Sequence, residues 1–463
     1  MQNNGLILDS LNKIFSYFQD KCSYLSQNSM LIKNIDNIIF ITIISVYILS
    51  LFASSDIIGY AALTAIFLTI IKLFVKKGEK IGLNLFEKFL LVYFLIVVIS
   101  LAGSTLFQLS LKGFFKTLTY LGFYFSVFQY FKNNLSKIPF TVALIGFCAA
   151  LQGFVGIFQN FCQVGEISTW QDVSNINPED VMTRVYGTLQ PYNPNLFGGY
   201  LVTSLSCLIG TLALNIMDKN YKRSAVLLIL FLTTSFALIL SGSRGAYMGF
   251  LAIIVCIFGF FAKFIWQNKK EKLKKIFLSA LGIITAFLIS LIIFVSSIRT
   301  RILSMFVMRS DSSTSFRFNV YQSAIQMIKD NWLLGIGVGN QNFREIYGLY
   351  MRTGFDALST YSVFLEITVE SGIFALIAFL GFLFALLNKA IRFTIESINL
   401  VYVIIVITAI TSITATMVHG IVDTIFFRPQ LQFIFWSMVA FISAIIHDQK
   451  LLDNRNHAKS EKH

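Results

Sequence analysis

A run of about 20 apolar residues crosses the hydrocarbon core of a bilayer, and this chain holds twelve runs of about that size. They lie at about 38–54, 57–75, 86–104, 114–131, 139–159, 196–216, 224–241, 245–262, 276–296, 361–387, 399–419 and 430–447. No water is present in that core to satisfy backbone N–H and C=O groups, so each run must be a helix or part of a closed barrel. Twenty-residue runs fit only the helix. Hydrophobic residues make up 56% of the 463 positions and charged residues 13%, against about 25% charged in a soluble domain. The expectation is an all-α polytopic membrane protein of about twelve transmembrane helices. Residues 1–37 form a cytoplasmic N-terminal segment, 38–447 the helical domain, and 448–463 a tail. The first run begins behind Lys13, Lys21 and Lys33 and lacks the form of a cleavable signal, so it is expected to stay as a signal anchor.

Lysine placement sets the orientation. With the N-terminus in the cytoplasm, the inner segments carry Lys76, Lys77, Lys80, Lys132, Lys137, Lys219, Lys222, Arg223, six lysines from Lys263 to Lys275, Lys389 and Arg392. Twelve spans return the tail to the same side. The expected location is the plasma (inner) membrane with both termini cytoplasmic. The net charge of +14 is then a topology signal and asks for no nucleic acid. Two outer loops are sizeable, 160–195 and 297–360.

Outside, the cations are mostly arginine: Arg184, Arg244, Arg299, Arg301, Arg309, Arg317, Arg344, Arg352 and Arg428. Topology does not ask for arginine over lysine. A guanidinium grips oxyanions with two parallel hydrogen bonds, which an ammonium cannot do. Some of these arginines are expected simply to pair with lipid phosphates or loop carboxylates. Arg244 differs, because "LSGSRGAYMG" places it in a tight turn between two spans, where a fixed cation is costly unless it meets water or an anion.

No metal or cofactor is called for. The five cysteines suggest no disulfide framework, and the four histidines form no ligand pair. "GIGVGN" at 335–340 lacks the Lys-Ser/Thr and the βαβ setting of a phosphate loop, so it reads as a tight backbone turn. Tyr321, Ala324, Ile325, Ile328 and Trp332 recur at helical spacing and predict a helix lying against the membrane or the bundle.

In this orientation the spans starting near 196, 245, 361 and 430 begin at the outer face, with free N–H groups and positive dipole ends directed outward. Asn193 is a predicted N-cap before Pro194, the first helical residue, and Asn195 follows in the first turn. Arg244, Arg428 and Arg184 lie at or just before three of these starts. Glu366 and Glu370 share one helix face, and His419 and Asp423 sit at the outer end of the eleventh run. The chain thus predicts an outward polar site rich in anion-binding groups. The plainer alternative is that Arg244 pairs with Glu370 or Glu366 and locks helices together.

At these residues the chain resembles the O-antigen ligase/polymerase superfamily, membrane glycosyltransferases acting on polyprenyl-diphosphate-linked glycans. The carriers are "GTLQPYNPNLFGGYL", "SGSRGAYMG", "SSTSFRFNVYQSAIQMIKDNWLLGIGVGNQNF" and "FLEITVESGIFALIAFL", in that order over most of 180–445. "ALSTYSVFLEITVESG" and "MVHGIVDTIFFRPQ" look most like the cyanobacterial IctB branch, whose members are commonly labelled bicarbonate transporters. The resemblance implies that Arg244 contacts the donor diphosphate, with Arg317 as a second such group. It also implies a His-Asn pair where this chain has Tyr361 and Ser362.

Two active readings follow. In one, a saccharide leaves a lipid diphosphate held by Arg244 and Arg317, and Glu370, Glu366 or His419 is the base. Asn193, Asn195, Arg428 and Arg184 complete the binding set. In the other, the partner is a small anion such as bicarbonate. A third is a noncatalytic scaffold of the same fold. The partners in view are a lipid-linked glycan or small anion and membrane lipids. Sequence does not set the oligomeric state.

Overall fold

The structure is a computed structural model. It describes residues 4–22, 24, 28–81, 84, 86–164, 184–267 and 313–460, with isolated helical positions between 275 and 294. The expected run at 276–296, the arginines Arg299, Arg301 and Arg309, and most of the loop 160–195 lie outside the described residues.

The chain is all-helical. In order, α1 is Asn4–Lys21, α2 Ile35–Leu49, α3 Ser55–Val75, α4 Glu87–Gly103, α5 Phe107–Phe131, α6 Ile138–Phe161, α7 Pro194–Met217, α8 Tyr221–Leu240, α9 Arg244–Gln267, α10 Ser313–Asp330, α11 Asn340–Tyr347, α12 Val363–Glu396, α13 Leu400–His419 and α14 Pro429–Ser460. Among the described residues, eight helices are long and apolar enough to cross a membrane, and α2 is a shorter apolar helix. These match nine of the twelve runs read from sequence. Runs 86–104 and 114–131 appear as α4 and α5.

The helices pack as a bundle because their apolar surface is not confined to a stripe. One continuous core joins α2, α5, α6, α7, α12, α13 and α14, and α14 is almost wholly enclosed from Leu431 to Ile446. Helices this apolar all round belong in a bilayer or in the middle of a large bundle. Close approach uses small residues, as in membrane helix pairs generally. A Cβ on Gly146 of α6 would meet the backbone of Leu208 in α7 at 3.0 Å, and one on Gly153 would meet Thr234 Cα in α8 at 3.1 Å.

Outside the spans, α10 and α11 form a small core of their own around Val320, Ala324, Met327, Phe343 and Tyr347. The apolar spacing read from Tyr321 to Trp332 is therefore a packing stripe in part: Ala324 is buried, while Ile325 and Trp332 are exposed.

One helix differs from its sequence reading. The run at 361–387 is not a single rod. Gly372 has φ 80° and ψ 175°, so α12 is a short helix to Ser371 followed by a long one. The loop before α11 fills the break. Ile336 N–H donates to Val369 O at 2.9 Å, Gly337 N–H to Glu370 O at 2.9 Å, and Ile373 N–H to Trp332 O at 2.9 Å. Backbone groups freed by a broken span are thus satisfied by another segment of protein, as a low-dielectric setting requires. "GIGVGN" is the turn expected from sequence, and its glycines exist for contact. A Cβ on Gly335 would meet Ser371 N at 2.5 Å, one on Gly337 would meet Ser110 Oγ at 2.6 Å, and one on Gly372 would meet Leu333 C at 2.6 Å.

Candidate functional site

The turn "SGSRG" joins α8 to α9 and is built by its serines. Ser243 Oγ accepts from Ala246 N–H at 3.4 Å, and Ser241 Oγ, 3.2 Å from Ser243 N, accepts from that N–H. A hydroxyl accepting at the third helical N–H is the N-cap arrangement, so Arg244 is the first residue of α9. Gly242 turns the chain at φ 60°. Arg184 lies across this turn: its Nε donates to Ser241 O at 2.8 Å and its Nη2 to Asn195 Oδ1 at 2.6 Å. Arg184, Asn195 and the SGSR turn are therefore one unit. Asn193 caps α7, its Oδ1 accepting from Asn195 N at 2.7 Å and Leu196 N at 3.2 Å, as the sequence predicts.

Helix α7 by its second turn and α9 by its first come against the last residue of α13. A Cβ on Gly199 would stand 3.2 Å from His419 Cε1, and one on Gly245 would stand 2.7 Å from His419 Nε2. Two glycines thus cradle the imidazole. The ring is 2% exposed, and among the described residues neither nitrogen has a hydrogen-bond partner. Buried polar atoms are nearly always partnered, so this ring stands out. The charges that act on it are those of Asp423 and Arg317.

Arg317 comes from α10 and reaches the same place. Its Nη2 lies 3.2 Å from Asp423 Oδ2, and its guanidinium sits 5.6 Å over the ring of Tyr361. Tyr361 occupies the position where the family resemblance implies a histidine, and its backbone is left-handed at φ 54°. Segment 359–363 is fastened to the turn after α13 by Val363 N–H donating to Gly420 O at 2.8 Å and by the Ser359–Thr424 hydroxyl pair at 2.5 Å. Asp423 Oδ1 also accepts from Ile425 N–H at 3.2 Å. Burial pushes the phenols of Tyr321 and Tyr361 above the usual tyrosine value, with the Asp423 carboxylate adding and Arg317 opposing.

The glutamates are engaged elsewhere. Glu366 Oε2 accepts from Thr360 N–H at 2.7 Å, so it holds the 359–362 segment. Glu370 Oε1 accepts from Gly339 N–H at 2.7 Å, so it holds the glycine loop in the helix break. Both are buried. Arg428 is exposed just before α14, with Tyr120 of α5 the group on which its charge acts. Arg344 pairs with Asp356 at 3.1 Å on the surface, the plain fate expected for some loop arginines. Sequence reading gave Asp423 no part in binding or catalysis. Its spacing of four from His419 was visible, but its partner Arg317 was not.

The geometry therefore gathers Arg184, Asn195, the SGSR turn, His419, Asp423, Arg317 and Tyr361 at one end of the bundle. Residues 228–380 match the family model for O-antigen ligase. The matched stretch includes the SGSR turn, Arg317, Tyr361, Glu366 and Glu370. His419, Asp423, Arg184 and Asn195 lie beyond it. No curated protein matches the chain. Over residues 228–380 the chain is similar to O-antigen ligases, a likeness that supports a membrane glycan ligase- or polymerase-like function, and its apolar helices suit a membrane-embedded protein.

Proposed function

We propose that this protein transfers a saccharide from a polyprenyl-diphosphate carrier to an acceptor hydroxyl at the outer face of the plasma membrane, with both termini on the cytoplasmic side. The observation that carries the reading is the meeting of Arg317, Asp423, Tyr361 and His419 beside the SGSR turn. Arg317 and Arg244 hold the diphosphate. The start of α9, with its outward N–H groups, adds to the field. As the bond from the anomeric carbon to the diphosphate oxygen breaks, its electron pair leaves with the diphosphate, and the two guanidiniums stabilise the charge that develops. The acceptor oxygen forms the new bond to the anomeric carbon and gives its proton to His419.

His419 is favoured as base over the glutamates for a geometric reason. Glu366 and Glu370 each spend a carboxylate oxygen on a backbone N–H that holds local structure. Among the described residues both imidazole nitrogens of His419 lack a hydrogen-bond partner. A general base must have a lone pair to offer. Arg184 and Asn195 set the SGSR turn from behind, and Asn193 orders the start of α7.

Carriage of a small anion such as bicarbonate is the competing reading. Transporters bind near the midplane at broken helices. The break at Gly372 is filled by residues 332–339, which favours chemistry at the membrane surface. The purified protein in liposomes, given lipid-linked glycan in one assay and labelled bicarbonate in another, tests the choice. Glycan transfer that is lost in His419→Gln supports the proposal. Bicarbonate uptake without transfer overturns it.

A further inference from the structure

At the end of the bundle away from this site, α1 is fastened sideways to the end of α3. Gln19 is buried and makes three bonds to the last turn of α3 and the segment after it. Its Nε2 donates to Leu73 O at 2.8 Å and Glu79 O at 3.0 Å, and its Oε1 accepts from Gly78 N–H at 3.1 Å. Two turns earlier on the same face, Asn12 Oδ1 accepts from Ile81 N–H at 2.8 Å. Phe15 and Phe18 meet Phe74 edge-on at 4.8 Å and 5.4 Å. Asn12, Phe15 and Gln19 are spaced three and four apart, so they form one face of α1.

The remaining surface of α1 divides in two. Ser16 and Asp20, four apart, are exposed and polar, with Asp20 3.4 Å from Lys77. Ile14 and the side of Phe18 turned away from Phe74, four apart, are exposed, the two residues at 51% and 42%, beside Tyr17 at 56%. Lys21 lies over the Tyr17 ring at 4.7 Å. The helix therefore has a protein side, a water side and an apolar side with an aromatic ring and a cation at its edge. Its polar residues forbid a span. Its anchor helix α3 exposes Tyr60, Leu63, Phe67 and Ile70 at helical spacing, the surface a span shows to acyl chains.

We propose that α1 lies in the membrane interface, with Ile14 and Phe18 set into the boundary between headgroups and acyl chains. The occupant of its apolar side is the lipid leaflet itself. Three features argue for it. The side is continuous with a helix that already faces lipid. A tyrosine at its margin suits an interface, where an amphipathic ring is at home. Exposed Lys13 and Lys21 give it the positive rim that anionic headgroups attract. Gln19 then ties the level of α1 in the interface to the end of α3.

The test uses the full chain in nanodiscs containing anionic phospholipid. Ile14→Trp and Ser16→Trp are made separately, and the parent emission is subtracted. Phospholipids brominated high on the acyl chain should quench Ile14→Trp about twofold or more, and aqueous iodide should quench chiefly Ser16→Trp. Equal iodide quenching of the two, with no bromolipid effect, would show the side facing water and overturn the proposal. Protection of Ile14→Trp from both quenchers would place a protein partner or a second copy there and overturn it equally.

Discussion

Arg317 and Asp423 stand 106 residues apart in sequence, and their side chains meet at 3.2 Å. The pair ties α10, a helix outside the spans, to the turn between α13 and α14. It is only partly exposed, at 19% and 7% of the two side chains. If the guanidinium is present chiefly for the diphosphate, charge alone is not enough. Arg317→Lys keeps the charge but loses the planar fork and the stacking over Tyr361. Transfer is expected to fall about 10²-fold or more, the scale of losing one transition-state donor. Thermal stability should fall far less than activity, because lysine keeps a positive charge opposite the buried Asp423 carboxylate, which would be costly to leave unpaired. Steady-state transfer and a melting curve on the same preparation check both halves.

Arg244 answers to the same logic with a different control. Arg244→Lys should insert and fold with most activity lost. The helix-lock alternative predicts that Arg244→Ala destabilises the protein and that Glu370→Gln restores part of the loss. The Glu370 carboxylate holds Gly339 N–H, so no rescue is expected. The double variant should be less stable than Arg244→Ala alone. A double variant that melts higher than Arg244→Ala would restore the ion-pair reading.

The filled break in α12 makes a prediction about folding. Gly372 has φ 80°, and an added Cβ would press on Leu333 at 2.6 Å, against backbone that has no room to retreat. Gly372→Ala should cost about 1–3 kcal/mol from left-handed strain and overpacking. Gly59 of α3 has nothing within 4 Å of an added Cβ, and Gly59→Ala should be neutral or stabilising. Chemical denaturation in detergent, read by fluorescence, compares the two.

Tyr361→His would place an imidazole where the family resemblance implies one. Histidine tolerates the left-handed backbone better than tyrosine does, so the variant should fold and melt near the parent. Activity is not expected to rise, because the base proposed here is His419. A gain of about 10²-fold or more, of the order of general-base catalysis, would mean that position 361 is the base site.

Hydropathy alone made the spans legible, because the period and length of an apolar run are local properties. The caps were legible for the same reason: Asn193 and Pro194 sit where their own chemistry puts them. The break at Gly372 was not, since a glycine within an apolar run reads the same whether or not another segment lies against it. Its partner, 332–339, is some forty residues upstream. Glu366 and Glu370 read as base candidates or partners of Arg244 because their actual partners are backbone N–H groups, which every sequence has and none displays. Asp423 was visible only as a neighbour of His419. Arg317 was placed by resemblance, and only the fold shows that the two meet. In α1, one face could not be told from another until α3 supplied a surface to fasten to.

Lys132 supplies a pH dependence at the opposite end of the molecule. It caps α5, and its ammonium donates to Lys80 O and Gln129 Oε1. Burial pushes it down to about 8, with Lys72 adding and Glu79 opposing. The ordinary value is 10.5. Below about 8 the ammonium is charged in the folded and unfolded states alike, and the cost of burying it is felt in full. As pH rises through that value, the folded state gives up the proton while the unfolded state keeps it. The unfolded chain then binds more protons, so stability rises with pH until about 10.5. Lys132→Met should remove this rise. Melting temperatures of parent and variant, taken at about pH 7 and pH 10 in the same detergent, isolate the contribution. The variant should gain relative to the parent at the lower pH, with the gap narrowing at the higher. A gap that widens with pH would show that Lys132 is stabilised as the cation, and that its bonds to Lys80 O and Gln129 outweigh its burial.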